Sequence, residues 1–470
     1  MEFVVYDIAL LVIFAVFVSV FLYRNRANLK KEGLLFLYKA VWGIKLINYI
    51  GKKYSKLLNV LSFVSIGMGY VLMVTMIYFL GKIVWVYLFF PEVVRAVKVP
   101  PIMPLIPYLP QAFKIDFLPP FYFTYWIVIL AVIAISHEFA HGIFAAENKI
   151  KIKSTGFGFF PFFLPVLLAA FVELDEKKMA RHKKVQQLAI LSAGTFANII
   201  VAVLFVFVLW EFFSVAFTPG GIKFDDYAFT AIPTANITMV KNISLINPNY
   251  SEVLQSLNGS SLSEINTNYR NYYGIKGFTS DGKYAYVYYN APAIKNKIGQ
   301  IITQLNGIEI TSKEQFALEL KKYSVGEKVG VSFIDKEVEE EVKVILEKSP
   351  ESEMVWIGIG FFPQQRTGVL NSIIKMASSF KEPGIYYKPK WDGWSIFLYN
   401  LLWWMILISI SVALMNMLPV GIFDGGRFFY LTILGITKSQ KIAKIAFSFM
   451  TYLFLFLIAV LMFFWAKSFF

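Results

Sequence analysis

The chain has 470 residues, 57% of them hydrophobic and only 16% charged, with no cysteine and a net charge of +14. A soluble globular chain carries about a quarter charged residues, so this composition is that of an integral membrane protein. The positive balance would suit nucleic acid, but the lysines and arginines fall in short clusters beside apolar runs. That is the positive-inside pattern, and no nucleic-acid partner is expected. Without cysteine there is no disulfide, no thiolate zinc site and no thiol nucleophile.

Residues 4–23 read as a first span. They lack a basic leader and a small-residue cleavage site, which points to an uncleaved helix rather than a signal peptide. Residues 24–56 carry nine Lys/Arg against one acid, Glu32, and are placed on the cytoplasmic side. Within them the apolar patch Gly33–Ile50, broken by Lys39 and Lys45, suggests an interfacial helix. A second span covers about 57–80, with an aromatic extension to Phe90. The eight prolines between Pro91 and Pro120 forbid a long helix there and indicate an external loop.

The third span, about 121–146, contains His137-Glu138-Phe139-Ala140-His141. On a helix, positions i and i+4 share a face, so both imidazoles can meet one metal ion. Glu138, offset by one residue, reaches a water on that metal rather than the metal itself. Three ionisable side chains within five residues are costly in hydrocarbon, and in a membrane span such groups mark function. The chain has three histidines. The third, His182, sits in a basic run, Lys178–Lys184, that reads as solvated surface. A third zinc ligand should therefore be a carboxylate.

Residues 150–176 are apolar but interrupted by Gly156, Gly158, Pro161 and Pro165. Irregular backbone at membrane depth is tolerated where it packs on protein or lines a cavity. The stretch is read as a re-entrant hairpin or an exposed-edge strand beside the metal site; a plain hydrophobic loop at the interface is the other reading. A fourth span follows, about 186–217, in which Gly194 allows close packing and Asn198 offers an interhelical hydrogen bond, taken here as packing.

From 218 to 392 the composition turns polar, with sequons at Asn236, Asn242, Asn249 and Asn258 that fit an external region. Strands are expected at Tyr284–Tyr289, Ile301–Leu305, Val329–Ile334 and Val338–Leu346. Short helices are expected from Ala291 and over Lys313–Tyr323. Leu254–Gly259 partly echoes Ile302–Gly307, a hint of a second, degraded copy. A fifth span, about 394–415, runs into Asn416-Met-Leu-Pro419-Val-Gly-Ile-Phe-Asp424-Gly425-Gly426, and a sixth covers about 445–466. Asp424 is the one strong candidate for the third ligand. It lies in a predicted membrane segment, where an unpaired carboxylate costs several kcal/mol. Two imidazoles and a carboxylate leave a fourth position open, the form of a catalytic zinc site.

The expected architecture is a polytopic α-helical membrane protein of about six transmembrane helices with an inserted extracytoplasmic α+β domain. Its parts would be 1–120 (first helices and loops), 121–217 and 393–470 (the two halves of a catalytic core), and 218–392 (the external region).

His137-Glu138-x-x-His141 together with Asn416-x-x-Pro419-x-x-x-x-Asp424-Gly425 resembles the site-2 protease family of intramembrane zinc metalloproteases. The stretches Gly156-x-Gly158, Ala170–Asp175 and Gln187–Asn198 resemble it too, its sterol-regulatory branch in particular. The likeness covers roughly 121–217 and 394–436, and residues 266–348 resemble a PDZ domain with its carboxylate-binding loop near Gly274–Phe278.

The resemblance implies one Zn²⁺ per chain on His137, His141 and Asp424, with Glu138 as general base. It implies that Asn416 binds the scissile peptide or the oxyanion, within a motif that includes Pro419. Gly156–Gly158 would pair with an unwound substrate as an added strand. The expected substrates are single-span membrane proteins, already trimmed by another protease, cut in or near the cytoplasmic half of the bilayer. The termini and the PDZ-like domain would be extracytoplasmic and the active site would face the cytoplasm. Two other classes are weighed against this one. A zinc transporter calls for polar residues along a path on both sides of the metal, and the spans show few. An inactive membrane-anchored PDZ scaffold calls for loss of Glu138 or of a ligand, and all are present.

Overall fold

A computed structural model describes residues 3–32, 35–97, 99–115, 117–159, 168–257, 262–336, 338–362, 375–376 and 378–467. The chain divides into two compact units: residues 1–211 with 397–470, and residues 212–396. Pro161, Pro165, Asn258 and Gly259 lie outside the described residues.

Six helices are long and apolar enough to cross a membrane: Phe3–Arg24, Ser55–Phe89, Phe123–Glu147, Lys184–Ala216, Asp392–Asn416 and Gln440–Lys467. The first is apolar on all sides, with Val12, Ile13, Val16 and Phe17 each more than half exposed, a surface suited to hydrocarbon rather than water.

The first unit begins with α1 (Phe3–Arg24), strands β1 (Leu29–Glu32) and β2 (Leu35–Ala40), α2 (Ile44–Lys53) and α3 (Ser55–Phe89). Two short helices, α4 (Pro91–Val97) and α5 (Leu109–Ala112), punctuate the proline-rich segment. Then come α6 (Phe123–Glu147), β3 (Ile152–Phe159), β4 (Leu168–Leu174), the short α7 (Glu176–Met179) and α8 (Lys184–Ala216).

In α6 a row of residues four apart (Ile129, Ile133, His137, His141 and Ala145) is buried, so the two histidines continue an apolar packing face. The N-terminus of this helix is capped from α1. The buried Asp7 carboxylate accepts from the backbone N–H groups of Phe123 (2.7 Å) and Thr124 (2.9 Å), and also from the Thr124 and Tyr108 hydroxyls. These are orphan donors of the first turn, and the capping anion favours the positive end of the helix dipole. Asp7 thereby fixes the height of α1 against α6.

The interfacial helix expected over Gly33–Ile50 is corrected: Leu35–Ala40 is strand β2, and the helix begins only at Ile44. The four strands form one antiparallel sheet in the order β1-β2-β3-β4. The physical reason lies in the backbone. β3 is an apolar segment whose N–H and C=O groups need partners, and β2 supplies them on one side as β4 does on the other. Lys39 of β2 and Ser154 of β3 both bind the Glu173 carboxylate of β4, at 2.8 and 2.6 Å. Those two hydrogen bonds, the lysine's first, hold the Glu173 carboxyl below the usual carboxylate range. Trp42 stacks on Phe157, at 5.6 Å between centroids, and also meets Phe139 of α6, tying sheet to helix.

The second unit is rich in β-structure. One sheet of six strands runs from Phe229 to Tyr289, and another includes Phe217–Lys223, Ile301–Leu305, Lys328–Asp335, Val338–Ile345 and Ile385–Pro389. The helices Pro292–Lys295 and Lys313–Leu320 stand where the sequence pattern puts them. Two expectations need correction. Leu254–Leu257 is helical whereas Ile302–Leu305 is a strand, so their similarity is not a structural repeat. Gly274–Phe278 belongs to the paired strand Asn271–Phe278, with two register shifts, and is not a loop.

Candidate metal centre and its surroundings

The structure brings His137, His141 and Asp424 together from two helices, with one ligand atom of each within 4.8 Å of the others. Asp424 opens the helix Asp424–Thr437, which follows the Asp392–Asn416 helix after the turn through Pro419. Its Oδ2 lies 3.3 Å from His137 Nε2 and 3.2 Å from His141 Nε2, and the two Nε2 atoms are 3.0 Å apart. Ligands about 2.0–2.1 Å from a tetrahedral Zn²⁺ are separated by about 3.3 Å, so this triangle of atoms fits one zinc ion. Gly425 and Gly426 let the start of the helix lie on the backbone of Met417–Gly421, where a Cβ would meet carbonyl oxygens at 2.4 Å.

The imidazoles are held from behind. His141 Nδ1 donates to the Ile190 carbonyl of α8 at 2.6 Å, leaving its Nε2 lone pair for a metal. His137 Nδ1 lies 3.1 Å from the side-chain amide of Asn198, also on α8. A Cβ on Gly194, one turn earlier, would sit 2.4 Å from His141 Nε2 and 2.5 Å from His137 Nε2, so only glycine admits the rings at that point. Reading Asn198 as plain packing missed this contact. Its partner stands 61 residues away in sequence, and only the presence of a polar amide in an apolar span hinted at it.

Glu138 is half-buried beside the triangle and accepts a hydrogen bond at 2.9 Å from the backbone N–H of Val172 on β4. Glu138, His141, Val172, Glu173, Asp424 and Arg427 are among the walls of a cavity of about 780 Å³ that is mostly polar, in contrast to the apolar helices around it. A carboxylate one residue from a metal ligand, in a polar cavity, is placed to move a proton on a water.

Gly156 and Gly158 need the clearest correction. They lie in β3, an inner strand, with Gly156 opposite both Lys39 of β2 and Phe171 of β4. A Cβ on Gly156 would come 2.0 Å from the Tyr38 carbonyl oxygen, so this glycine serves close packing of β2 on β3. Both edges of β3 are taken, and an added strand cannot pair there. The edge that turns towards Glu138 is that of β4, which has no second partner strand among the described residues. Asn416 is the last residue of its helix and half-buried, and Pro419 is buried in the turn that follows; neither lines the polar cavity. His182 is half-buried and stands outside the metal-ligating group.

Comparison with known proteins adds a family to this geometry. The model of Peptidase family M50 matches residues 125–458, well over half of the chain. An uncharacterized protein of Methanocaldococcus jannaschii is 47% identical over 79 residues, covering 16% of this chain and 20% of the relative. The zinc metalloprotease RasP of Shouchella clausii is 25% identical over 165 residues, covering 29% of this chain and 39% of the relative. The matches thus span about a fifth and two fifths of these curated relatives. Among solved structures, the PDZ domain of the SdrC-like protein from Listeria monocytogenes matches 15% of this chain and 75% of its own, at 21% identity and a TM-score of 0.14.

Proposed function

Because the chain belongs to peptidase family M50, the zinc metalloendopeptidases of the site-2 protease type, we propose that it hydrolyses peptide bonds in or near the spans of membrane-anchored proteins. The observation that carries the reading is the meeting of His137, His141 and Asp424 at zinc-ligand separations with Glu138 beside them. His137 Nε2, His141 Nε2 and an Asp424 oxygen hold the ion. Zinc, when bound, supplies Lewis acidity for a water and for the scissile carbonyl. A carboxylate oxygen of Glu138 takes a proton from the attacking water as its oxygen bonds to the carbonyl carbon. The same group then delivers that proton to the departing nitrogen as the C–N bond breaks. Asn416, assigned through its motif, steadies the oxyanion or the peptide.

A helical substrate hides its carbonyls in its own hydrogen bonds and must unwind before attack. The outer edge of β4, which has no further partner strand among the described residues, offers backbone groups to the unwound segment as strand addition does elsewhere. The Val172 N–H, now on Glu138, stands at that edge. Gly156 and Gly158 support the sheet from within rather than meet substrate. The PDZ-like part of the second unit, about 266–348, grips or filters substrates whose external part another protease has trimmed. In this topology the termini and that unit are external and the metal faces the cytoplasmic side. Three basic clusters, at 24–56, 177–184 and 438–444, support it.

The test is to incubate the purified chain in detergent with a model single-span protein and to map products by mass spectrometry. Cleavage in or beside the span by wild type, absent with a zinc chelator, is expected. Cleavage only in soluble loops would overturn the intramembrane reading. Substrates with a bulky folded ectodomain should be cut more slowly than trimmed ones; equal rates would end the filter idea.

A further inference from the structure

We propose that Asn198 sets the tautomer and orientation of His137, so that α8 takes part in metal binding without supplying a ligand. This rests on the reading of His137, His141 and Asp424 as the zinc site. A neutral imidazole has one N–H. When its Nε2 lone pair goes to a metal, Nδ1 carries the proton and needs an acceptor. For His141 the acceptor is the Ile190 carbonyl. For His137 the neighbour of Nδ1 is the Asn198 amide at 3.1 Å.

Asn198 is fully buried. Its Nδ2 faces the imidazole while its Oδ1 has no hydrogen-bond partner. Turning the amide by half a rotation puts Oδ1 on the Nδ1–H of His137 and frees Nε2 for zinc; amide oxygen and nitrogen have nearly the same shape, so the turn costs no space. Gly194, four residues earlier on the same face, lets α8 come near enough for this contact, since a Cβ there would meet His137 Cε1 at 2.6 Å. Gly194-x-x-x-Asn198 is thus a back wall for the metal centre, glycine for the approach and asparagine for the acceptor.

The experiment uses the full chain in detergent. Zinc affinity is measured by competition with a chromogenic chelator, and the absorption spectrum of the Co²⁺-loaded protein is recorded. Both are done for wild type, Asn198→Leu and Asn198→Asp. Asn198→Leu removes the acceptor and is expected to weaken zinc about 10–100-fold and to alter the Co²⁺ bands. Asn198→Asp keeps an oxygen at that place and is expected to bind zinc in the wild-type range. A packing role predicts the reverse order, because leucine suits a buried helix contact and an aspartate does not; that order overturns the proposal. The zinc-induced rise in melting temperature should be smaller in Asn198→Leu than in wild type, and an equal rise also overturns it. If wild type itself binds no zinc, the site reading fails; if wild type and Asn198→Leu bind alike, only the role of Asn198 fails.

Discussion

The two units reach stability by opposite uses of polarity. In the second unit the polar groups are mostly outside and the interior is ordinary: Ile222, Ile302, Leu305, Val329 and Val331 are fully buried in one apolar cluster. In the first unit the membrane-spanning helices are apolar outside, and some of the buried polar side chains join separate elements. Asp7 caps α6, Ser65 meets Ser192 between α3 and α8 at 2.7 Å, and Asn198 meets His137. A unit with a lipid-facing surface gains little from moving one more apolar side chain inwards. Its specificity must come from close packing and from a few hydrogen bonds. Changes in the first unit should therefore strike the metal centre, while changes in the core of the second should cost stability alone.

The largest expected effect is from Glu138→Gln. It keeps the shape and removes the base, so cleavage should fall about 10²–10⁴-fold while bound zinc stays at the wild-type level. Loss of zinc along with activity would mean that Glu138 holds the site together rather than moving a proton. Next is Gly194→Ala, whose methyl group enters the space of both imidazoles at 2.4–2.5 Å. Zinc affinity should drop about 10–100-fold, by chelator competition.

The contrast between the units is sharpened by Ile302→Ala, which empties a fully buried position of the second core. It should destabilise that unit by about 2–5 kcal/mol, read by denaturant titration, with zinc content unchanged. A coupled loss of zinc would break the comparison. The smallest effect is expected from Val172→Pro. It deletes the N–H that Val172 gives to Glu138 at the β4 edge, and so removes about one hydrogen bond's worth of support from that carboxylate. Cleavage should slow about 3- to 10-fold with zinc retained. An unchanged rate would show that this hydrogen bond does not position Glu138.

Much of this was legible in the sequence, and for definite reasons. Each of the six spans announces itself by its high hydropathy over a helix long enough to cross a membrane. His137, Glu138 and His141 are held by helical periodicity, and Asp424 stands out as a carboxylate among apolar residues and glycines. Four strands of the second unit, at Tyr284–Tyr289, Ile301–Leu305, Lys328–Asp335 and Val338–Ile345, follow alternation or the Asn306-Gly307 turn, whereas Phe217–Lys223, Phe229–Pro233, Asn271–Phe278 and Ile385–Pro389 carry no such signal. What escaped depends on partners distant in sequence. Leu35–Ala40 has composition enough for a helix or a strand, and only its pairing with β3, more than a hundred residues on, decides for a strand. For the same reason an edge cannot be told from an inner strand: Gly156 marks close backbone approach, but not whether the approaching strand is substrate or β2. The roles of Asp7 and Asn198 depend on contacts 116 and 61 residues away.

The central claim is that one zinc ion sits on His137, His141 and Asp424. Its most direct test is metal counting with X-ray absorption at the zinc edge on purified wild type and Asp424→Ala. Wild type should hold one zinc per chain with two imidazoles and oxygen ligands at about 2.0–2.2 Å, and Asp424→Ala should lose most of it. Full zinc occupancy in Asp424→Ala, with the wild-type spectrum, would contradict the assignment.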